Sequence, residues 1–510
     1  MICGRPISIL LVLAAQIAVV PAQPVLERLR ADVEFLSAPA LGGRVSLDRG
    51  AEVAAQFIAA EYRKAGLRPA NGSSYFQDFR LAPIHLVPGK TRLGIRRQGS
   101  EQNVNPVSVF LGDPSRPVRL EAPMVFAGFG ITAPELGYDD YAGIDVQGKV
   151  VLLFDHEPQE SDPKSIFNGT GFTLYAGAWY KTWNAQRHGA LAVILATEPV
   201  NRHRPPRREP DQANAPAQAL VDGELRIPRF TIPTESLAEF FSETGKSPSE
   251  WQSEIDRTLR PVSRELTGVR VLLEAENQSD VSALAQNVVG WIEGSDPALK
   301  AETVVLGAHY DHLGIHNGRV YPGANDNASG IAALLEVARR FQEAQIRPGR
   351  SILFLAFGVE EEGMLGSFFY VAHPLRPLAT TRAVLNLDMI GRHEEHIDES
   401  RGAYEVSDDT SNEINLVAAS FSPAVAALVA RENRSVGLRL NDKFDRESSM
   451  RTLFRCDHLP FLYKNVPALW LFGGFHPGYH TPADTADKID YPKLEKVTRL
   501  AYLSALAVAR

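Results

Sequence analysis

The residues able to do chemistry are concentrated in four short stretches: GAHYDH at 307–312, GANDNASG at 323–330, FGVEEEGMLGS at 357–367 and LNLDMIGR at 385–392. A fifth, GYHTPADT at 478–485, adds a histidine far along the chain. Imidazole and carboxylate donors of this kind bind a hard or borderline divalent cation. Each residue has an ordinary reading when taken alone. Asp326 suits a helix N-cap, Glu360, Glu361 and Glu362 suit an acidic first turn, and a single His309, His480 or Asp388 is more often an ordinary polar residue. The conjunction of five pieces, each at the end of an apolar run or the start of a helix, points instead to a metal site. On an extended strand end, positions i and i+2 face the same way, so Asp311 can accept the spare ring N–H of His309 and leave the other nitrogen for a metal. Asp326 is expected to open a helix whose buried stripe is Ile331, Leu334, Leu335, Ala338 and Phe341. There its two carboxylate oxygens could bridge two cations. Of adjacent glutamates at a strand end, one can bind metal while its neighbour reaches a metal-held water.

The elements that must position these groups follow from the pattern beyond Asn287. NVVGWIEG, ETVVLGAH, SILFLAFG and AVLNLDMI read as strands, alternating with helices from Ala328 to about Ala344 and after Gly363. Such alternation predicts an α/β fold with a mostly parallel central sheet flanked by helices. Ligands then bind at the carboxyl ends of the strands, where His309, Glu361 and Asp388 fall. Residues 23–104 open with two helical patterns, the second stopped by Gly66, followed by an alternating strand, SSYFQDFRLAPIHLV. They read as scaffold. Residues 105–267 change to short β-type runs, APMVFAGFGI, GKVVLLF and LAVILAT, with YKTWNAQRHGA as a helix feeding the last. The histidines and acids of this stretch show no metal-ligand spacing and receive no catalytic role.

Residues 1–22 are expected to be a secretory signal peptide, with Arg5 before an apolar stretch and Val20-Pro21-Ala22 as the cleavage site. The stretch is short of the roughly 20 apolar residues that span a bilayer and is interrupted by Ser8 and Gln16, so stable membrane insertion after cleavage is not expected. Loss of Cys3 with the signal leaves Cys456 alone and excludes an intramolecular disulfide. A net charge of −8, with 44% hydrophobic and 22% charged residues, gives no reason to propose nucleic acid as a partner. The one basic cluster, RHRPPRR at 202–208, reads as a solvated loop.

GYDDYAGIDVQGKVVLL at 137–153 resembles a protease-associated (PA) domain, a non-catalytic module that caps a protease or contacts substrate or another protein. With all five chemical motifs in order, residues 287–510 resemble the catalytic domain of the M28 zinc peptidases. The resemblance implies a zinc-dependent exopeptidase fold and two Zn2+ per chain, one held by His309 and Asp388, the other by Glu361 and His480, with Asp326 bridging. It makes Glu360 the general base and Tyr479 a residue that stabilises the oxyanion. FRCDHLPF at 454–461 departs from the family by carrying Cys456 where serine is usual, a change that bears on the pocket and not on the ligands.

The function implied is a secreted or periplasmic di-zinc exopeptidase acting on peptides, foremost an aminopeptidase. A carboxypeptidase or dipeptidase on the same scaffold is the alternative; an acidic C-terminus would need a cation such as Arg392 or Arg455. A binding protein that keeps the fold without catalysis is the alternative from another class, and it would be expected to lose a ligand or the base.

Overall fold

A computed structural model describes residues 23–201, 217–242, 244–278, 282–400 and 402–510. The expected signal segment at 1–22 and the basic cluster at 202–208 lie outside the described residues.

Four fully parallel strands form the middle of the larger, ten-stranded sheet, in the order Ser351–Phe357, Thr303–His309, Thr381–Asp388 and Ala468–Phe472. Their residues alternate between two apolar layers, as a strand covered on both faces requires. Val304, Leu306 and Ala308 join Ile352, Phe354 and Ala356 on one face, under the helices Gly330–Glu343 and Tyr491–Ala509. Val305, Leu353, Leu355 and Phe357 join Phe461 and Tyr370 on the other. The expected stripe of Ile331, Leu334, Leu335, Ala338 and Phe341 is buried in the first layer.

The amino-terminal segment belongs to this same body. Helices Gln23–Leu36 and Arg49–Lys64 pack into the first layer, where Arg339 pairs with Asp32 at 2.6 Å and Glu61 at 2.7 Å. Gly66, at φ +70°, ends the second helix by donating its N–H to the Arg63 carbonyl, a left-handed stop that suits glycine. Strand Phe76–Pro83 then pairs antiparallel with Ala283–Ile292, which continues to Ser351–Phe357.

Between those two neighbouring strands the chain leaves to build a second, eight-stranded sheet. Its first strand is Arg92–Arg97 and its last is Arg264–Ala275, paired with each other. This β-rich unit therefore starts before residue 105 and ends after residue 267, outside the expected span on both sides. The polar, partly exposed 92–104 hairpin carries too little apolar alternation to announce itself. The unit also lends the large sheet an edge strand, Gln218–Leu220, paired with Phe76–Pro83.

Candidate metal centre

Parallel pairing brings the chemical residues to one edge. His309 and Asp388 are the last residues of adjacent strands, and Glu360 and Glu361 lie just past Phe357 on the strand flanking them. Asp326 arrives differently from the expectation. It sits at φ −110°, ψ 91° in an irregular turn, Ala324–Ser329, without a capping bond, and the regular helix begins only at Gly330. The N–H groups of Asn325 and Asp326 are held by Asp484 Oδ2, at 2.9 and 3.0 Å. The turn needs glycine at 323, where φ is +58° and a Cβ would lie 2.6 Å from the His312 ring.

The donor set has two lobes about Asp326. On one side His309 Nε2 is 3.3 Å from Asp326 Oδ1 and 3.4 Å from Asp388 Oδ1. On the other, His480 Nε2 is 3.2 Å from both Asp326 Oδ2 and Glu361 Oε2. Glu360 Oε2 lies 4.0 Å from His309 Nε2, beside the first lobe. Tyr479 stacks on His480 with ring centres 3.8 Å apart, and its hydroxyl has no hydrogen-bond partner among the described residues.

These residues fit a metal. His309 Nδ1 faces the Asp311 carbonyl oxygen at 3.3 Å, which only accepts, so Nδ1 carries the ring proton. Nε2 is then directed at the carboxylate oxygens of Asp326 and Asp388, where a neutral ring would offer its lone pair to a metal. Carboxylates gathered around a buried ring nitrogen call for positive charge among them, a proton on the imidazole or a metal cation in its place. Burial lowers the affinity of His309 for a proton, yet Glu360 and Asp388 outweigh it and hold its pKa well above the ordinary value. For His480, Glu361 and Asp326 outweigh burial and raise the pKa to about 10. Burial pushes the Glu360 carboxyl well up, opposed by His309 and reinforced by Asp457, Glu361 and Asp388.

The part expected of Asp311 changes. Its carboxylate is 3.9 Å from His309 Nδ1 and instead accepts the N–H groups of Glu360 at 3.0 Å and Glu361 at 3.2 Å. Its carbonyl, not its side chain, orients His309, because the carboxylate is drawn to the exposed amides of the neighbouring strand end.

Several supporting contacts escaped the sequence reading. His312 Nδ1 is 2.7 Å from Glu361 Oε1; its only signal was its place in GAHYDH. Buried Arg44 donates to the carbonyls of Tyr310, Pro322 and Gly323, tying together the loops that carry His309 and Asp326. Cys456 Sγ donates to Asp388 Oδ2 at 3.1 Å and accepts from Asn386 Nδ2 at 2.9 Å. In the β-rich unit the fold also gathers His156, Glu160 and Glu198, a group the linear spacing did not suggest.

Asp326, Glu360, Glu361, Asp388, Tyr479 and His480 line one small cavity of about 20 Å³, walled by Met389, Trp470, Phe475 and Arg455.

Residues 287–505 match Peptidase family M28. Over that segment the chain is similar to the M28 peptidases. The chain is 29% identical over 219 residues to Aminopeptidase YwaD of Bacillus subtilis (strain 168), covering 42% of each chain. It is 29% identical over 193 residues to Leupeptin-inactivating enzyme 1 of Streptomyces exfoliatus, covering 38% of this chain and 36% of that one. A Glutamate carboxypeptidase 2 homolog of Caenorhabditis briggsae is 26% identical over 389 residues, 67% of this chain and 48% of its own. The chain thus spans less than half the length of these curated relatives. The solved aminopeptidase from Aneurinibacillus sp. strain AM-1 overlays with a TM-score of 0.47 at 19% identity, covering 95% of this chain and 94% of that one.

Proposed function

We propose that this protein is a di-zinc exopeptidase, foremost an aminopeptidase, with the β-rich unit as a PA domain. The observation that carries the reading is the position of Asp326. One oxygen faces the His309–Asp388 lobe and the other the His480–Glu361 lobe, at 3.2 to 3.3 Å from the ring nitrogens. His309, Asp388 and Asp326 would hold one zinc, and His480, Glu361 and Asp326 the other. A zinc pair supplies Lewis acidity that polarises a peptide carbonyl and lowers the pKa of water.

The chain's own groups do the rest. Glu360 takes the proton of the attacking water and returns it to the leaving amine. The free Tyr479 hydroxyl donates to the carbonyl oxygen as negative charge develops. Asp311 fixes Glu360 and Glu361 through their main-chain N–H groups, and Asp484 fixes the Asp326 turn. The cavity is small, walled by Met389, Trp470 and Phe475, and rich in carboxylates that attract a substrate ammonium, which supports trimming from a chain end. Among the described residues no helix is long and apolar enough to cross a membrane. Secretion, to the periplasm or the exterior, rests on the expected signal at 1–22.

The test is hydrolysis by the zinc-loaded mature protein of two otherwise identical peptides, one with a free and one with an acetylated amino terminus, with products identified by mass. Stepwise loss from the free amino end alone is expected. Loss from the carboxyl end of both would replace the aminopeptidase with a carboxypeptidase, and cleavage of neither would favour a binding protein.

A further inference from the structure

We propose that Arg455 is a binding site for a carboxylate on the substrate, which makes the favoured substrates dipeptides or peptides with an acidic first residue. The inference rests on the exopeptidase reading and deepens it. Arg455 lines the cavity that Asp326, Glu360 and His480 line, and it is the one arginine or lysine to do so. Among the described residues its guanidinium makes one hydrogen bond, Nε to the Met450 carbonyl at 2.7 Å, and no ion pair. The rest of the fork stays available beside the Phe475 ring, 5.7 Å from the ring centre. A planar guanidinium with spare donors next to an aromatic wall is suited to two-point recognition of a carboxylate. Arg392, the other cation considered, is turned away, with Nη1 buried 3.9 Å from Asp484.

The segment that presents Arg455 is held by the β-rich unit. Asn168 Nδ2 donates to the Asp445 carbonyl at 2.8 Å and the Thr170 hydroxyl to that of Arg446 at 3.2 Å. Gly171 packs so closely that a Cβ there would lie 2.2 Å from the Asp445 oxygen. Arg451 donates through Nη1 to His156 Nε2 at 3.2 Å. The inserted unit thereby positions one wall of the cavity, and His156 is a positioning residue for Arg455.

The experiment is calorimetric binding to the zinc-loaded Glu360→Gln protein of Ala-Ala, Ala-Ala amide and Asp-Ala amide. If the subsite takes a terminal carboxylate, Ala-Ala binds about 10- to 100-fold more tightly than its amide; if it takes an acidic side chain, Asp-Ala amide shows that advantage over Ala-Ala amide. Adding Arg455→Met should erase the advantage, Arg455→Lys should keep part of it, and His156→Ala should reduce it, all at unchanged zinc content. Equal binding of all three peptides, or equal weakening of all three by Arg455→Met, would overturn the proposal. Turnover by the unsubstituted enzyme is scored separately. Carboxylate-dependent binding without any turnover would sink the exopeptidase reading and keep the subsite, whereas turnover without carboxylate preference would do the reverse.

Discussion

Among the described residues, two clusters combine histidine with neighbouring buried carboxylates. In the large sheet, His309 commits Nδ1–H to the Asp311 carbonyl and aims Nε2 at Asp326 and Asp388. In the β-rich unit, His156 Nδ1 lies 2.9 Å from Glu198 and 3.5 Å from Glu160. Residue types and spacings are alike, and the partner on the far side of each ring separates them. A guanidinium can only donate, so Arg451 makes Nε2 of His156 an acceptor and puts the ring proton on Nδ1, toward Glu198. Glu198 also accepts from Asn201 Nδ2 at 3.2 Å. That cluster is a hydrogen-bonded chain joining the two units, in which both ring nitrogens of His156 are committed to protein partners. Around Asp326, His309 and His480 turn Nε2 toward carboxylates, where a proton or a metal cation can sit. A collection of ligand-type residues suits a metal when its ring nitrogens face carboxylates and are not committed to a guanidinium.

The largest expected contrast is in turnover. Glu360→Gln should lower kcat by about 100- to 10,000-fold, the usual worth of a general base, at unchanged zinc content, whereas Glu198→Gln should change kcat only a few-fold. Normal turnover by Glu360→Gln would remove the proposed base. Metal content sharpens the contrast next: Asp326→Ala should lower zinc at both lobes by elemental analysis, while Glu160→Ala leaves it intact. Retention of two zincs in Asp326→Ala would refute the bridge.

Stability should show no such contrast. His156→Ala removes a donor from buried Glu198 and should cost about 1–3 kcal/mol in denaturant unfolding, and zinc-free His309→Ala, which takes an imidazolium away from Asp326, Glu360 and Asp388, should also lose stability at neutral pH against the zinc-free parent. No loss in zinc-free His309→Ala would break the comparison. The smallest effect is expected of Cys456→Ser, whose hydroxyl can replace the thiol as donor to Asp388. Its kcat/KM should stay within about three-fold, and Cys456→Ala should fall further. Equal losses in both variants would mean that the bond to Asp388 is immaterial.

What could be read in the sequence was whatever a strand end dictates. His309 and Asp388 close apolar runs, Glu360 and Glu361 follow one, and parallel pairing carries all four to one edge without further information. Asp326 was legible as a candidate but not as an irregular turn, because Asp484, which shapes that turn, is remote in sequence. Arg44, His312 and Arg455 act through contacts that no local period encodes. The Asp311 carboxylate was assigned to the wrong donor because strand alternation says which way a side chain points, not which amide competes for it. The His156 cluster was invisible since Glu198 joins it only after the Val150–Phe154 and Ala192–Ala196 strands pair.

The central claim is that His309 and His480 aim Nε2 at carboxylates around Asp326, whereas both ring nitrogens of His156 are committed to protein partners. Anomalous diffraction at the zinc edge from crystals of the zinc-loaded protein tests it directly. Two peaks are predicted, one between His309, Asp388 and Asp326 and one between His480, Glu361 and Asp326, with none at His156. A peak at His156, or no peak touching Asp326, would contradict the account.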